Sequence, residues 1–243
     1  MLTQLSFGRI AEGVLGIFFP SVCPVCAKPS DQPATSPICG VCWENMTRLP
    51  ANKCSVCAKP LEVEGISKCG AKCGDCYAEK PLYSTVLAYA RYCDVMKEAI
   101  HLFKFSGVRR LASPIAELFK SIDIPEADLI MPVPLTKKRL TQRGYNQSLL
   151  LAKAISDFTN IPLSYDILLK VKETPHQSNL RGTQRIQSLK NAFQAATSVK
   201  GKTIAVVDDV MTTGATLNEC ARALIKADAE SVIGIVAART VMD

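Results

Sequence analysis

Four Cys-x-x-Cys pairs, Cys23/Cys26, Cys39/Cys42, Cys54/Cys57 and Cys73/Cys76, constrain this chain more than any other feature. Each pair is a tight turn that aims two sulfurs at one ion, and two such knuckles facing each other complete a tetrahedral four-thiolate site. The eight thiolates therefore provide for two structural Zn2+ ions. The pairs are separated by twelve, eleven and fifteen residues. Joining the first pair to the second and the third to the fourth makes two small ribbons in tandem. The echo of CPVC with Pro29 in CSVC with Pro60 reads as an internal repeat of this kind. An interleaved cross-brace also satisfies the spacing, because connectivity is not written in a sequence. Cys69 is an alternative ligand for the last knuckle, with Cys73 preferred because it completes the CxxC. Four thiolates leave no open position, so the metal here is structural and supplies much of the folding energy of so small a module.

Of eleven cysteines, only Cys93 and Cys220 fall outside the stretch Cys23 to Cys76. An odd number grouped in close pairs fits metal ligation in a reducing cytoplasm rather than a disulfide framework. In the first twenty-two residues Arg9 and Glu12 interrupt the apolar run. That pattern argues against a signal peptide or a spanning helix. It predicts a short amphipathic helix ending near Pro20 that docks on the domain behind it, with no stable membrane insertion and a cytoplasmic location. The expected division is residues 1–82 for this helix and the double zinc ribbon, and residues 83–243 for an α/β domain.

Beyond Tyr83 the pattern changes. Val95, Met96, Ala99, Ile100 and Phe103 share one helical face between Asp94 and Phe105, and a second such stripe runs from Leu111 to Phe119. Leu129 to Val133 and Thr203 to Val207 read as buried strands, Asn146 to Phe158 and Ala215 to Ala227 as helices, and Ser231 to Ala237 as a further strand. Strands separated by helices imply a parallel sheet covered on both faces, with ligands bound beyond the carboxyl ends of the strands.

Two strand ends carry chemistry. TIAVV runs into Asp208 and Asp209, then into Thr212, Thr213, Gly214, Ala215 and Thr216 at the start of a helix. Unpaired N–H groups and the dipole of a helix N-terminus accommodate a phosphate. Two adjacent carboxylates can accept hydrogen bonds from two vicinal hydroxyls, and a phosphate joined to a diol describes a ribose 5-phosphate. At the other strand end, Val133 and Pro134 precede Lys137, Lys138, Arg139 and Arg143. The net charge of +7 is consistent with an anionic partner without choosing one.

The run VVDDVMTTGAT, Val206 to Thr216, resembles the phosphoribosyl-pyrophosphate motif of type I phosphoribosyltransferases. The resemblance implies that Asp208 and Asp209 hold the ribose hydroxyls and Thr212 to Thr216 surround the 5′-phosphate. It implies that Val133, Pro134, Lys137 and the lid after them, with Arg143, meet the pyrophosphate and its Mg2+. With FKFSG (Phe103 to Gly107), PVPLTKKRLTQRGYNQ (Pro132 to Gln147) and the CxxC pairs, the chain is similar to the ComF family of competence proteins over nearly its whole length. Gln177, Leu180, Arg185 and Phe193 follow that pattern, and Ser188 departs from it. Membership implies a role in natural transformation, handling incoming single-stranded DNA with a helicase-type uptake partner. The cations Arg109, Arg110, Lys137, Lys138, Arg139, Arg143, Arg181 and Arg185 are candidates to line a cleft for pyrophosphate or a DNA backbone. Where 6-oxopurine enzymes have an aspartate this chain has Thr212, whose hydroxyl cannot act as a general base near pH 7. Three readings stay open: a competence factor, an active transferase with an unknown acceptor, and a regulator that senses phosphoribosyl pyrophosphate. Of the two histidines, His101 reads as peripheral structure and His176 as a loop residue near the ligand.

Overall fold

The computed structural model describes residues 21–61, 70–173 and 187–241. The expected N-terminal helix, Cys69, His176, Gln177, Leu180, Arg181 and Arg185 lie outside the described residues. Two short helices, α1 (Gly40–Glu44) and α2 (Gly74–Ala78), each begin directly after a cysteine. The α/β body follows as β1 (Thr85–Arg91), α3 (Asp94–Phe105), α4 (Ala112–Glu117), β2 (Leu129–Pro132), α5 (Lys137–Arg143) and α6 (Gln147–Thr159). It is completed by β3 (Leu168–Lys170), β4 (Phe193–Ala195), β5 (Thr203–Met211), α7 (Ala215–Ile225) and β6 (Ser231–Arg239).

β1, β6, β5 and β2 form, in that order, a parallel sheet. Alternation along β5 sends Ala205 and Val207 to one face, where α3, α4 and α6 bury Ile100, Phe103, Ile115, Leu151 and Ile155. Ile204 and Val206 go to the other, with Leu217, Leu224 and the antiparallel pair β3–β4. Both faces are covered, as a parallel sheet requires. The fold is thus the expected α/β architecture with a cysteine-rich ribbon before it.

The ribbons are not a separate bead. Thr47 to Leu49 run along the free edge of β1: the Leu49 N–H donates to the Tyr89 carbonyl at 3.0 Å and the Arg91 N–H to the Thr47 carbonyl at 3.0 Å. Cysteines on either side of this strap join opposite cores, Cys23, Cys39 and Cys42 on the α3 face and Cys54, Cys57, Cys73 and Cys76 on the α7 face. The double ribbon therefore straddles the sheet edge.

Several elements differ in extent from their expected bounds. β5 runs on through Asp208 and Asp209 to Met211, because β6 continues beside it and pairs Asp208 with Val236 and Met211 with Arg239. The stripe from Leu111 to Phe119 is split between α4 and flanking 3-10 turns. The segment after β2, expected as a lid, is a helix closed by the Thr136 hydroxyl at its start and by Gly144 in the left-handed region, φ 77°, at its end.

Candidate functional site

The eight CxxC cysteines gather in sequential order: Cys23, Cys26, Cys39 and Cys42 in one cluster, Cys54, Cys57, Cys73 and Cys76 in the other, with sulfurs within 4.8 Å of one another. The Cys26–Cys39 and Cys57–Cys73 sulfurs are 3.7 and 3.6 Å apart. Two thiolates at zinc–sulfur distance on a tetrahedron are separated by about 3.8 Å, so both clusters fit the ion. Burial first, and the neighbouring thiols after it, push the Cys42 and Cys76 thiols well above their usual range. Four thiolates are sustained together there only against a divalent charge.

At the carboxyl end of the sheet a cavity of about 790 Å³ opens between β5, the end of α3 and α5. Asp208, Asp209, Thr212, Thr216, Val133, Pro134 and Arg143 line it, as do Lys104, Arg139 and Lys170. Thr213, Gly214 and Ala215 line a smaller recess of about 10 Å³ beside it, in the elbow between β5 and α7. Lys137 lines neither. The α5 helix turns Lys137 and Lys138 to solvent and brings Arg139 and Arg143, four residues apart and so on one face, to the cavity.

Asp209 is 2% exposed, and one of its oxygens accepts from Lys104 Nζ at 2.8 Å. The other, Oδ2, is sealed from solvent without a hydrogen-bond partner. A buried unpaired carboxylate oxygen costs on the order of 1–3 kcal/mol unless something donates to it. Asp208 still reaches the cavity with part of its surface, and its Oδ1 accepts from the Ser148 hydroxyl at 3.0 Å and from the Asp209 N–H at 2.9 Å. Burial first and the Asp209 charge second raise its carboxyl to about 6, against the opposing pull of Lys104. In the elbow, Gly214 takes φ 83°, and a Cβ there would lie 2.6 Å from Met211 Cε and 2.9 Å from the Tyr83 hydroxyl. Gly214 offers no side-chain cap, and Thr213 Oγ1 accepts only from the Ala215 N–H, at 3.3 Å. Beyond the Ala215 N–H, the first turn of α7 has no side-chain cap, and its remaining N–H groups are of the kind that suit an anion.

Of the stretch Arg143-Gly144-Tyr145-Asn146-Gln147, the side chains of Arg143, Tyr145 and Gln147 line the same cavity. Arg143 donates to Gln147 Oε1 at 2.5 Å and lies over the exposed Phe105 ring, 5.5 Å from its centre. The Tyr145 hydroxyl donates to the Phe103 carbonyl, with Arg109 stacked 4.6 Å over the ring. Asn146 caps α6 through the Ser148 N–H and also donates to the Val133 carbonyl at 3.0 Å. Arg110 is turned toward the first ribbon, donating to the Ser36 carbonyl. His101 is exposed beside Phe105, with ring centres 5.3 Å apart. The cavity thus sets four cations against two carboxylates, which suits a polyanion with a diol. Lys104 and Lys170 were not singled out as site residues from the sequence, although Lys104 lies inside the FKFSG segment.

Residues 146–240 match the phosphoribosyl transferase domain model, and residues 14–77 match the double zinc ribbon domain model. The chain is 32% identical over 215 residues to competence protein F of Haemophilus influenzae, covering 80% of this chain and 93% of that one. It is 30% identical over 215 residues to DNA utilization protein YhgH of Salmonella typhi, covering 79% and 94%. Competence protein ComFC of Bacillus subtilis is 29% identical over 199 residues, 78% of each chain.

Proposed function

The chain belongs to the competence protein F family, and from that premise we propose that it binds phosphoribosyl pyrophosphate with Mg2+ in the cavity and serves the handling of incoming single-stranded DNA in the cytoplasm. The observation that carries the ligand is the carboxylate pair: Asp208 open to the cavity, Asp209 with one oxygen unpartnered, both facing Arg139, Arg143 and Lys170. In this reading Asp208 and Asp209 accept from the ribose hydroxyls, and the amides of Thr212 to Thr216 hold the 5′-phosphate. Val133 and Pro134, with Arg139 and Arg143, orient the pyrophosphate, and Lys137 takes part only if α5 moves. A Mg2+ bound with the ligand would offset the charge of its phosphates. Thr212 offers no general base, which disfavours a 6-oxopurine acceptor and leaves transfer to another acceptor as the alternative reading. DNA contact is supported by relatives named for competence and DNA utilization, and a helicase-type partner is part of the same proposal, resting on the family resemblance alone.

Calorimetry with phosphoribosyl pyrophosphate and Mg2+ tests the site. The wild type should bind, and Asp208→Asn combined with Asp209→Asn should lose binding by at least about a hundredfold, two charge-assisted hydrogen-bond sets being removed. A folded, zinc-loaded wild type that takes up no ligand overturns the reading.

A further inference from the structure

Arg239, the last residue of β6, is 6% exposed, and among the described residues no carboxylate pairs with it. Its donors go to backbone carbonyls instead. Nε donates to Cys57 at 3.1 Å, and Nη1 donates to Met211 at 3.3 Å, to Thr240 at 3.0 Å and to Thr212. Cys57 belongs to the second four-cysteine cluster, whereas Met211 and Thr212 open the elbow at the cavity mouth. One side chain therefore spans from a metal knuckle to the proposed phosphate loop.

A buried guanidinium needs compensating charge. A divalent ion held by four thiolates leaves the cluster negative overall, and this cluster is the one Arg239 touches. The peptide plane adds a directional effect. Because a trans peptide points its C=O and N–H to opposite sides, the bond from Arg239 to the Thr212 carbonyl fixes the Thr213 N–H away from the arginine. Tyr83 belongs to the same buried cluster as the four cysteines, with its hydroxyl against Gly214. The first cluster has no comparable bridge among the described residues.

We propose that Arg239 is a positioning residue that couples metal occupancy of the second ribbon to the affinity of the elbow for its phosphate ligand. This rests on reading the cavity as a ribose-phosphate site. With the ion in place, the knuckle presents the Cys57 carbonyl and supplies the negative charge, and the guanidinium holds the elbow in its binding form. Without the ion, the carbonyl is released and the buried cation stands uncompensated. Such coupling is reciprocal, so the ligand must also strengthen metal retention at that cluster.

The test uses full-length, zinc-loaded wild type, Arg239→Lys, Arg239→Met and Thr85→Val. The last breaks the other tether of the same knuckle, the Thr85 hydroxyl to the Ser55 carbonyl. Zinc release to a chromogenic chelator is followed with and without phosphoribosyl pyrophosphate and Mg2+, and ligand affinity is read by calorimetry. In the wild type and in Thr85→Val, the ligand should slow loss of one of the two zinc equivalents at least about fivefold. In Arg239→Lys, which keeps the charge but loses the planar fork, both zinc ions should load, affinity should fall about tenfold and the protection should vanish. If Arg239→Met fails to fold, the lysine variant still decides. Ligand binding by the wild type without protection of zinc overturns the coupling, as does undiminished protection in Arg239→Lys. A wild type that binds no ligand removes the ribose-phosphate reading, and the coupling with it.

Discussion

A single proton separates the two states of Asp208. Its carboxyl titrates near 6 in the folded protein, above the ordinary value of 3.8. The folded protein therefore holds a proton over a range where the unfolded chain has released it, and this residue stabilises the fold relatively at low pH and less as pH rises through about 6. Asp208→Asn should accordingly raise the melting temperature of the ligand-free protein most at pH 8, by less at pH 5, and leave it nearly unchanged only below about pH 4. Ligand binding runs the other way, because hydroxyls are accepted by the ionised form. Affinity for phosphoribosyl pyrophosphate should weaken below about pH 6, approaching tenfold per pH unit, and a flat calorimetric profile from pH 5 to 8 would contradict this. Asp208 and Asp209 were legible in the sequence because they close an apolar strand ahead of a Thr/Gly turn. Lys104 was not, because a cation at the end of the stripe from Val95 to Phe103 looks like a solvated helix end. Its pairing with Asp209 depends on how α3 crosses β5, which is tertiary information. Lys170 was hidden for the same reason, in a strand too short to show a period.

Among the elements, β5 is longer than its composition allows. Adjacent aspartates are poor strand formers, so the sequence marks the strand as ending at Val207, yet pairing with β6 carries it four residues further. The basic run after β2 reads in the sequence as part of a lid rather than a helix, because its charges obscure a helix without an apolar stripe. Its boundaries are nonetheless set by local chemistry, Thr136 at one end and Gly144 at the other. Gly144→Ala should cost about 1 kcal/mol in chemical denaturation, since φ is 77° and the new Cβ would come within 3.4 Å of Arg109 Nη2. The helices α3, α6 and α7 lay close to their expected bounds because each carries a long amphipathic stripe. β1, and β3 and β4 of three residues each, are strands the sequence reading does not mark.

For the whole molecule, the ribbon cysteines belong to the same cores as the sheet. Chelation of zinc should therefore lower the melting temperature of the entire protein in one cooperative transition, rather than leave a fully stable α/β body beside an unfolded ribbon. Calorimetric scans with and without chelator check this. The net charge of +7 bears on nucleic acid. If Arg139 and Arg143 meet a single-stranded backbone, Arg139→Glu with Arg143→Glu should flatten the plot of log affinity against log salt by about 0.7 per lost phosphate contact. An unchanged slope removes them from that surface. The strap of Thr47 to Leu49 along β1 has a further effect. An open parallel sheet ends in two rows of unmet hydrogen-bonding groups, each a template onto which a neighbouring molecule can grow. Here one border is taken by the strap, and the other, at β2, by Leu163 bridged to Ile130. The ribbon thus acts as a selvedge on the β1 border, leaving that row of the sheet little to offer a neighbouring strand.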